Sequence, residues 1–179
     1  GLAPIILSLI CLTHINRKYM LDACKLERHS LVIRYATQGD IAALLSLAEA
    51  TGLFEPSEID DFGEMMKEQL SEDQNDESFW IVDSEDDIVG AAYYAPETFT
   101  EGVWNLYFIG VHPSQQGKGR GSALLNYVEQ SLVEKGERLL LVETSGVDSF
   151  ELTRSFYEKN GYTEEARIRD FYKPGDDKV

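Results

Sequence analysis

The residues best suited to chemistry lie in a glycine-rich stretch, Gln115-Gln-Gly-Lys-Gly-Arg-Gly121. Three glycines in five positions let backbone N–H groups converge without obstruction from side chains. The stretch leads directly into a segment with helical periodicity, and the first N–H groups of a helix lack partners and favour an anion. The pattern therefore predicts a loop that binds a phosphate-type anion.

Two basic side chains support an anion site in this loop. Between Glu68 and Glu134, Lys118 and Arg120 are the only lysine or arginine residues. A charge at an exposed helix end contributes only about 0.3–1 kcal/mol, so several donors have to act together. A solvent-exposed turn is the alternative interpretation. The spacing does not fit the dinucleotide fingerprint G-x-G-x-x-G, and the Gly-Lys-Ser/Thr of a P-loop is missing.

The charge balance excludes one class of partner. The 179 residues include 16 basic and 32 acidic side chains, a formal net charge of −16. Nucleic-acid binders need clustered lysine and arginine, so we expect no nucleic-acid partner. Residues 31–179 hold 12 basic and 30 acidic side chains, whereas residues 1–30 carry a net charge of +2. We interpret 31–179 as one domain and 1–30 as an N-terminal extension.

The extension begins with an apolar run, Gly1–Leu12, which is shorter than the roughly 20 residues that span a bilayer. It also lacks the basic start and the cleavage site of a secretory signal. We interpret it as an accessory packing helix or a gene-model extension, with a membrane anchor as the alternative. Because both cysteines, Cys11 and Cys24, fall in it, the sequence argues against a disulfide framework and a thiolate zinc site. We expect a cytoplasmic setting, no membrane partner and no metal.

Hydrophobic periodicity predicts an α/β fold with a central mixed sheet flanked by helices on both faces. The strands at 106–111 and 139–142 are apolar throughout, which is typical of a sheet covered on both sides. The predicted elements are a strand at 31–35, a helix capped by Asp40 and ending at Gly52, a helix with Ser57 as N-cap, a hairpin of strands at 78–83 and 88–95, a strand at 103–111, a helix at 122–133, a strand at 138–143, a helix at 149–160 and a strand at 163–172.

The loop and a second motif resemble the GNAT superfamily of N-acetyltransferases. The acetyl-CoA signature of that family, Gln/Arg-x-x-Gly-x-Gly/Ala, is matched by Gln116-Gly-Lys-Gly119-Arg-Gly121. A helix ending in Phe-Tyr-x-x-x-Gly-Phe/Tyr, another feature of the family, is matched by Phe156–Tyr162. The order of elements from 31 to 172, about four-fifths of the chain, agrees as well. The resemblance implies a GNAT-like fold and an acetyl-CoA-dependent N-acetyltransferase.

The resemblance also implies where the cosubstrate binds. Acetyl-CoA is expected in a V-shaped gap between the strands at 103–111 and 138–145, and an amine attacks its acetyl carbon directly in a ternary complex. The implied cofactor-binding residues are Ile109, Gly110 and Val111 for the pantetheine arm, and Gln116, Gly117, Lys118, Gly119, Arg120, Gly121 and Ser122 for the pyrophosphate loop.

Tyr157 matches the family's general acid, which protonates the departing thiolate. A phenol with a pKa near 10 is protonated at neutral pH and suits this role. Packing beside Phe156 is the alternative. The family's base glutamate is replaced by Asn105, so we name Glu143 on the neighbouring strand as the candidate base, and Glu97 and Glu101 as alternatives.

The acceptor is left open as a small-molecule amine or an amino group of a peptide or protein. Acidic residues at the start of the second helix indicate a cationic amine, although carboxylates are favoured in a first helical turn in any case. Asn105 keeps a second hypothesis, a non-catalytic acyl-CoA-binding module. The sequence also leaves open whether the family's last strand is missing, or whether the extension or a second copy in a homodimer closes the sheet edge. The acidic residues at the start of the second helix, mentioned above, are Glu55, Glu58, Asp60, Asp61 and Glu64.

Overall fold

A computed structural model describes residues 31–54, 56–71, 78–84 and 87–179, so the predictions for residues 1–30 lie outside the described part of the chain. In the described part, no helix has the length and apolar character needed to cross a bilayer. The strands are β1 (Ile33–Tyr35), β2 (Phe79–Ser84), β3 (Ile88–Pro96), β4 (Val103–Val111), β5 (Leu139–Val142), β6 (Ile168–Lys173) and β7 (Asp176–Lys178). The helices are α1 (Ile41–Thr51), α2 (Pro56–Gln69), α3 (Arg120–Lys135) and α4 (Glu151–Lys159).

Strands β1 to β5 form one mixed sheet in the order β1-β2-β3-β4-β5. β1, β2, β3 and β4 pair with one another in succession as antiparallel strands, which confirms the predicted hairpin of β2 and β3. β5 runs parallel to β4. A parallel neighbour needs a crossover connection, and α3 provides it.

Helices cover both faces of this sheet, as predicted. α3 packs on one face, where Leu124, Leu125 and Val128 contact a core that includes Trp104. α1 and α2 pack on the other face, in a core that includes Trp80. β2, β3 and β4 contribute residues to both cores, which accounts for the apolar run of β4. In β5, by contrast, Leu140 and Val142 pack against the first core only, and Leu139 is exposed.

The predicted start of α2 is wrong. α2 begins at Pro56, so Ser57 lies within its first turn instead of at the N-cap. Proline suits the first helical position because its missing N–H would lack a partner there. α1 begins directly after Asp40, as predicted, although the Asp40 side chain makes no capping hydrogen bond to it. Its carboxylate accepts hydrogen bonds from the Thr37 backbone N–H at 2.8 Å and from Arg34 Nη1 at 2.7 Å.

The last strand of the fold is present, although it is short. β7 pairs antiparallel with β6, and Thr144 and Val179 exchange two backbone hydrogen bonds of 2.9 Å. The hydroxyl of Ser145 also donates to the buried carboxylate of Asp176. β6 begins at Ile168, so the prediction of a strand from residue 163 is wrong for residues 163–167. The three residues of β7 do not reach far enough along the sheet to pair with that segment.

We expect α3 to depend on the side chains that it buries against the sheet. Leu124 is 0% exposed, whereas Val133 on the same helix is 64% exposed. Leu124→Ala should lower the free energy of unfolding by about 2–5 kcal/mol because it opens a cavity in the core. Val133→Ala, the control, should change it by no more than about 0.5 kcal/mol. Urea denaturation measures both values, and equal losses in the two variants would contradict this packing.

Candidate active site

The pairing of β4 with β5 ends partway along β4, and we call the space beside the end of β4 that β5 does not cover the cleft. The two strands pair over Val103–Leu106 and Leu139–Val142. Beyond that point Ile109, Gly110 and Val111 pair with β3 on one side. No strand in the described part of the sheet uses their other edge, which faces the cleft. Backbone N–H and C=O groups on such an edge can bind an extended chain that carries amide groups.

A bulge in β4 lies at the mouth of this cleft. Tyr93 pairs with Phe108 and Tyr94 pairs with Leu106, so Tyr107 is the extra residue. A bulge reorients the side chains that follow it. Leu106 therefore packs in the core under α3, while Phe108 packs on the opposite face. The bulge thus coincides with the separation of the two strands.

The glycine-rich loop turns from the end of β4 into α3. Gly117 and Gly119 have φ values of 73° and 80°, in the left-handed region that favours glycine. Gly119 is the N-cap of α3, so the helix begins at Arg120, two residues before the predicted start. The side-chain amide of Gln116 donates to the carbonyl of Val111 at 3.1 Å and holds the loop against β4. The backbone N–H groups at the start of α3 therefore lie beside the cleft.

The third glycine joins the loop to α4. A Cβ atom on Gly121 would lie 3.3 Å from Cε2 of Phe156, which is tighter than ordinary contact. A larger residue at 121 would push this ring away. Gly121 and Phe156 belong to the two motifs that the sequence singled out, and the fold brings them into contact. Ser122 follows in the first turn and is half-buried.

The two basic residues of the loop have different environments. Lys118 is exposed, and its Nζ lies 3.0 Å from Oε1 of Gln115. Arg120 is only 3% exposed, and its Nη1 lies 2.8 Å from Oδ2 of the fully buried Asp83. The expectation that both cations face a phosphate is therefore wrong for the Arg120 side chain. Its backbone N–H still belongs to the first turn of α3.

Tyr157 lies on α4 and is 8% exposed. Burial raises the pKa of its phenol to about 12. Its ring packs against those of Phe156 and Tyr162, with centroids 5.2 and 5.6 Å away. It also lines a cavity of about 450 Å³ with Val142 of β5 and Ile168 of β6. The phenol is thus protonated and held in a mostly apolar setting.

The three candidate bases differ in their contacts. Glu143, just after β5, forms an ion pair with Lys178 of β7, with Nζ 2.7 Å from Oε1. Glu97 lies between two residues of β4, since its Oε2 is 3.5 Å from Nδ2 of Asn105 and 3.4 Å from the hydroxyl of Tyr107. Glu101 is exposed. A carboxylate therefore does lie beside Asn105, and it comes from the end of the β3–β4 hairpin.

The acidic residues of α2 are exposed, among them Asp60 and Asp61, while Glu55 lies outside the described residues. Glu64 forms an ion pair of 2.7 Å with Lys67 one turn away. The cluster is therefore a solvated helix face, and the described contacts do not connect it to the cleft.

Sequence reasoning missed two residues of the site. Asp83 follows the apolar run Phe79–Val82 directly, and a carboxylate at that place is also typical of the turn that comes next. Tyr107 sits in an apolar strand, where an aromatic residue predicts only packing. Neither residue has a local signal, because the partner of Asp83 and the bulge at Tyr107 both depend on tertiary structure.

Comparisons with known proteins identify the family. Residues 75–164 match the model of the acetyltransferase (GNAT) domain. A GNAT-family protein from Desulfovibrio desulfuricans is 37% identical, with 84% of this chain and 96% of that chain covered and a TM-score of 0.79. No match was found in the search of curated proteins.

Two more distant structures show the same fold. One is the ribosomal-protein-S18-alanine N-acetyltransferase from Escherichia coli, at 19% identity, 83% and 89% coverage of the two chains and a TM-score of 0.65. The other is the PaiA N-acetyltransferase from Thermoplasma acidophilum, solved with coenzyme A, at 17% identity, 83% and 96% coverage and a TM-score of 0.65. With a family model and a well-covered relative in agreement, this chain belongs to the GNAT family of acetyltransferases.

Proposed function

We propose that this protein is an acetyl-CoA-dependent N-acetyltransferase that transfers an acetyl group to a primary amine by direct attack in a ternary complex. The observation that carries the proposal is the open edge of β4 at Ile109–Val111, which lies next to the glycine loop. An edge for an extended amide-bearing arm beside donors for a diphosphate suits the shape of coenzyme A. The PaiA enzyme of the same fold, which was solved with coenzyme A, supports this choice.

In the proposed complex, the amides of the pantetheine arm pair with the backbone of Ile109, Gly110 and Val111. This pairing also polarises the thioester carbonyl. The N–H groups at 117–122 bind the diphosphate, and the exposed ammonium of Lys118 adds one positive charge. Gln116 contributes by holding the loop against Val111.

Tyr157 is the proposed acid for the leaving sulfur. A thiol has a pKa near 8.5, so a phenol whose burial raises its pKa to about 12 cannot readily transfer its proton completely. It can still donate a hydrogen bond to the departing thiolate in a setting that excludes water. We infer that Tyr157 acts mainly as this donor, and that the proton of the attacking amine leaves by another route.

Two carboxylates are proposed for that proton. An alkylammonium has a pKa near 10.4 and has to lose a proton before it attacks. Glu143 stands next to the cleft and forms an ion pair with Lys178. Glu97 has contacts to Tyr107 and Asn105 instead. We keep Glu143 as the first candidate and Glu97 as its alternative.

The proposed acceptor is a cationic amine. Residues 31–179 carry 12 basic and 30 acidic side chains, and such a field attracts cations towards the protein. Two neighbours of this fold are named as a ribosomal-protein-S18-alanine N-acetyltransferase and an aminoglycoside 6'-N-acetyltransferase, so both peptide amino groups and small polyamines belong in a screen.

A non-catalytic acyl-CoA-binding module is the second candidate, and Asn105 favours it. The amide of Asn105 cannot accept a proton from an amine, and its Oδ1 is buried without a hydrogen-bond partner among the described residues. In this version the fold binds the cosubstrate without turning it over.

A thiol-release assay with acetyl-CoA separates the N-acetyltransferase from the binding module. The acceptors are a panel of polyamines, aminoglycosides and peptides with a free N-terminus. We expect amine-dependent release with at least one cationic acceptor. Coenzyme A binding by calorimetry without turnover on any amine would support the binding module. Absence of both binding and turnover would overturn the proposed site.

We expect Tyr157→Phe to lower kcat by about 10²-fold, at the low end of the usual range for an acid, because a thiolate is a tolerable leaving group. The KM for acetyl-CoA should change little, because the hydroxyl acts in the transition state. Steady-state kinetics with the best acceptor tests this. An unchanged kcat would show that Tyr157 only packs beside Phe156.

The ionisation of Tyr157 is expected to occur only at strongly alkaline pH. Burial raises the pKa of this phenol to about 12. Because the folded protein holds the proton more tightly than the unfolded chain, Tyr157 stabilises the fold below pH 10 and this stabilisation is lost as the pH rises from about 10 to 12. Tyrosinate absorbance of the wild type minus that of Tyr157→Phe should stay near zero up to about pH 11. A difference that titrates near pH 10 would contradict the buried position.

We expect Lys118→Ala to weaken coenzyme A binding at low salt by about two- to fivefold, the size of one exposed ion pair. The effect should shrink at high ionic strength, because about 1 M salt screens charges beyond about 3 Å. Lys67→Ala, which removes another exposed lysine from a helix, is the control. Calorimetry at two salt concentrations measures the affinity, and equal effects of the two substitutions would remove Lys118 from the site.

A further inference from the structure

A buried ion pair lies directly behind the glycine loop. Asp83, near the end of β2, pairs in the sheet with Gly90 of β3 and is 0% exposed. Its Oδ2 accepts a hydrogen bond of 2.8 Å from Nη1 of Arg120, the first residue of α3. The pair therefore connects two elements that are 37 residues apart in the sequence.

Stability alone does not account for this pair. Taking two charges out of water costs several kcal/mol, and replacing a buried ion pair by apolar residues of similar size is often neutral or stabilising. The pair does have a geometric effect, because it fixes the direction in which α3 starts. Removing Asp83 or Arg120 would take away this connection between β2 and α3.

The loop is fixed on both sides of Arg120. Gly119 precedes it in a left-handed conformation, and Gly121 follows it in contact with Phe156 of α4. The backbone of these three residues is thus held between β2 and α4. Gly90 lets α3 lie close to this point, since a Cβ there would be 3.0 Å from Leu124 Cδ1.

We propose that Asp83 and Arg120 are positioning residues for the anion loop. The ion pair holds the first turn of α3 so that its backbone N–H groups face the diphosphate of the cosubstrate, and the Arg120 guanidinium is not itself a phosphate ligand. Asp83 acts through Arg120, and Arg120 acts through its own backbone. The inference rests on the proposed acetyl-CoA site and adds residues that no phosphate touches.

A double-mutant cycle distinguishes positioning from direct contact. Asp83→Asn, Arg120→Met and the double variant are compared with the wild type by calorimetry with coenzyme A. Positioning predicts that each single variant binds about tenfold more weakly and that the double variant is no weaker than the weaker single one. If Arg120 contacted the phosphate, Arg120→Met alone would weaken binding, and wild-type affinity in Asp83→Asn would overturn the proposal.

Acetyl-pantetheine lacks the diphosphate, so comparing it with acetyl-CoA separates positioning of the anion loop from a general loss of stability. The KM for acetyl-CoA should rise in the pair variants, while the KM for acetyl-pantetheine should stay the same. Arg34→Met is the control, because Arg34 forms an ion pair of 2.7 Å with Asp40 away from the loop. A parallel rise for both substrates, or a rise in the control as well, would assign the pair to general stability and overturn the inference.

Amide hydrogen exchange at residues 117–123, measured without ligand, makes the outcome independent of activity. Exchange should be faster in the pair variants and unchanged in Arg34→Met. Arg120→Gln, which removes the charge and keeps a polar side chain, replaces any single variant that does not fold, and unchanged exchange in it would overturn the positioning role. If the wild type does not bind coenzyme A, the proposed function fails, while the exchange data still decide whether the pair holds the loop.

Discussion

The separation of β4 from β5 is the constraint on which the rest of the site depends. The parallel pairing ends at Leu106 and Val142, and the bulge at Tyr107 changes the faces of the residues beyond it. If β4 and β5 stayed paired along their full length, β5 would form hydrogen bonds with the backbone N–H and C=O groups of residues 109–111. Because it does not, polar backbone groups reach the cleft, and α3 with its glycine loop stands at the wide end. The edge proposed to bind the cosubstrate therefore follows from an interruption of regular structure.

Much of this arrangement could be predicted from local pattern. The glycine-rich loop that leads into a helix, the β2–β3 hairpin and the apolar strands β4 and β5 are encoded in neighbouring residues, and these features are found as expected. The side chain of Arg120 could not be placed in this way. A basic residue in an acidic domain indicates a bound anion such as a phosphate. The partner of Arg120 is instead the buried carboxylate of Asp83, which lies 37 residues earlier in the sequence. The short β7 could not be predicted from local pattern either, since its bridge from Lys178 to Ser145 joins residues that are far apart in the sequence.

The charge distribution has a different meaning once Arg120 is paired. Neutralised by Asp83, Arg120 contributes little to the field outside, so Lys118 is left as the exposed cation of the loop. Attraction for an anion then depends mostly on backbone N–H groups, whose number and direction are set by the fold. Such a site is less sensitive to the surrounding acidic surface than one built from lysine and arginine side chains, because its donors act only at short range.

The contact between Gly121 and Phe156 connects the two parts of the protein that we propose for the two ends of the cosubstrate. Gly121 belongs to the loop for the diphosphate, and Phe156 precedes Tyr157 on α4. Ordering of the loop by a ligand would restrict the Phe156 ring and, through it, the neighbouring phenol. The nucleotide end of the cosubstrate takes no part in the bond that breaks. It would nevertheless help to position the Tyr157 hydroxyl against the reacting sulfur.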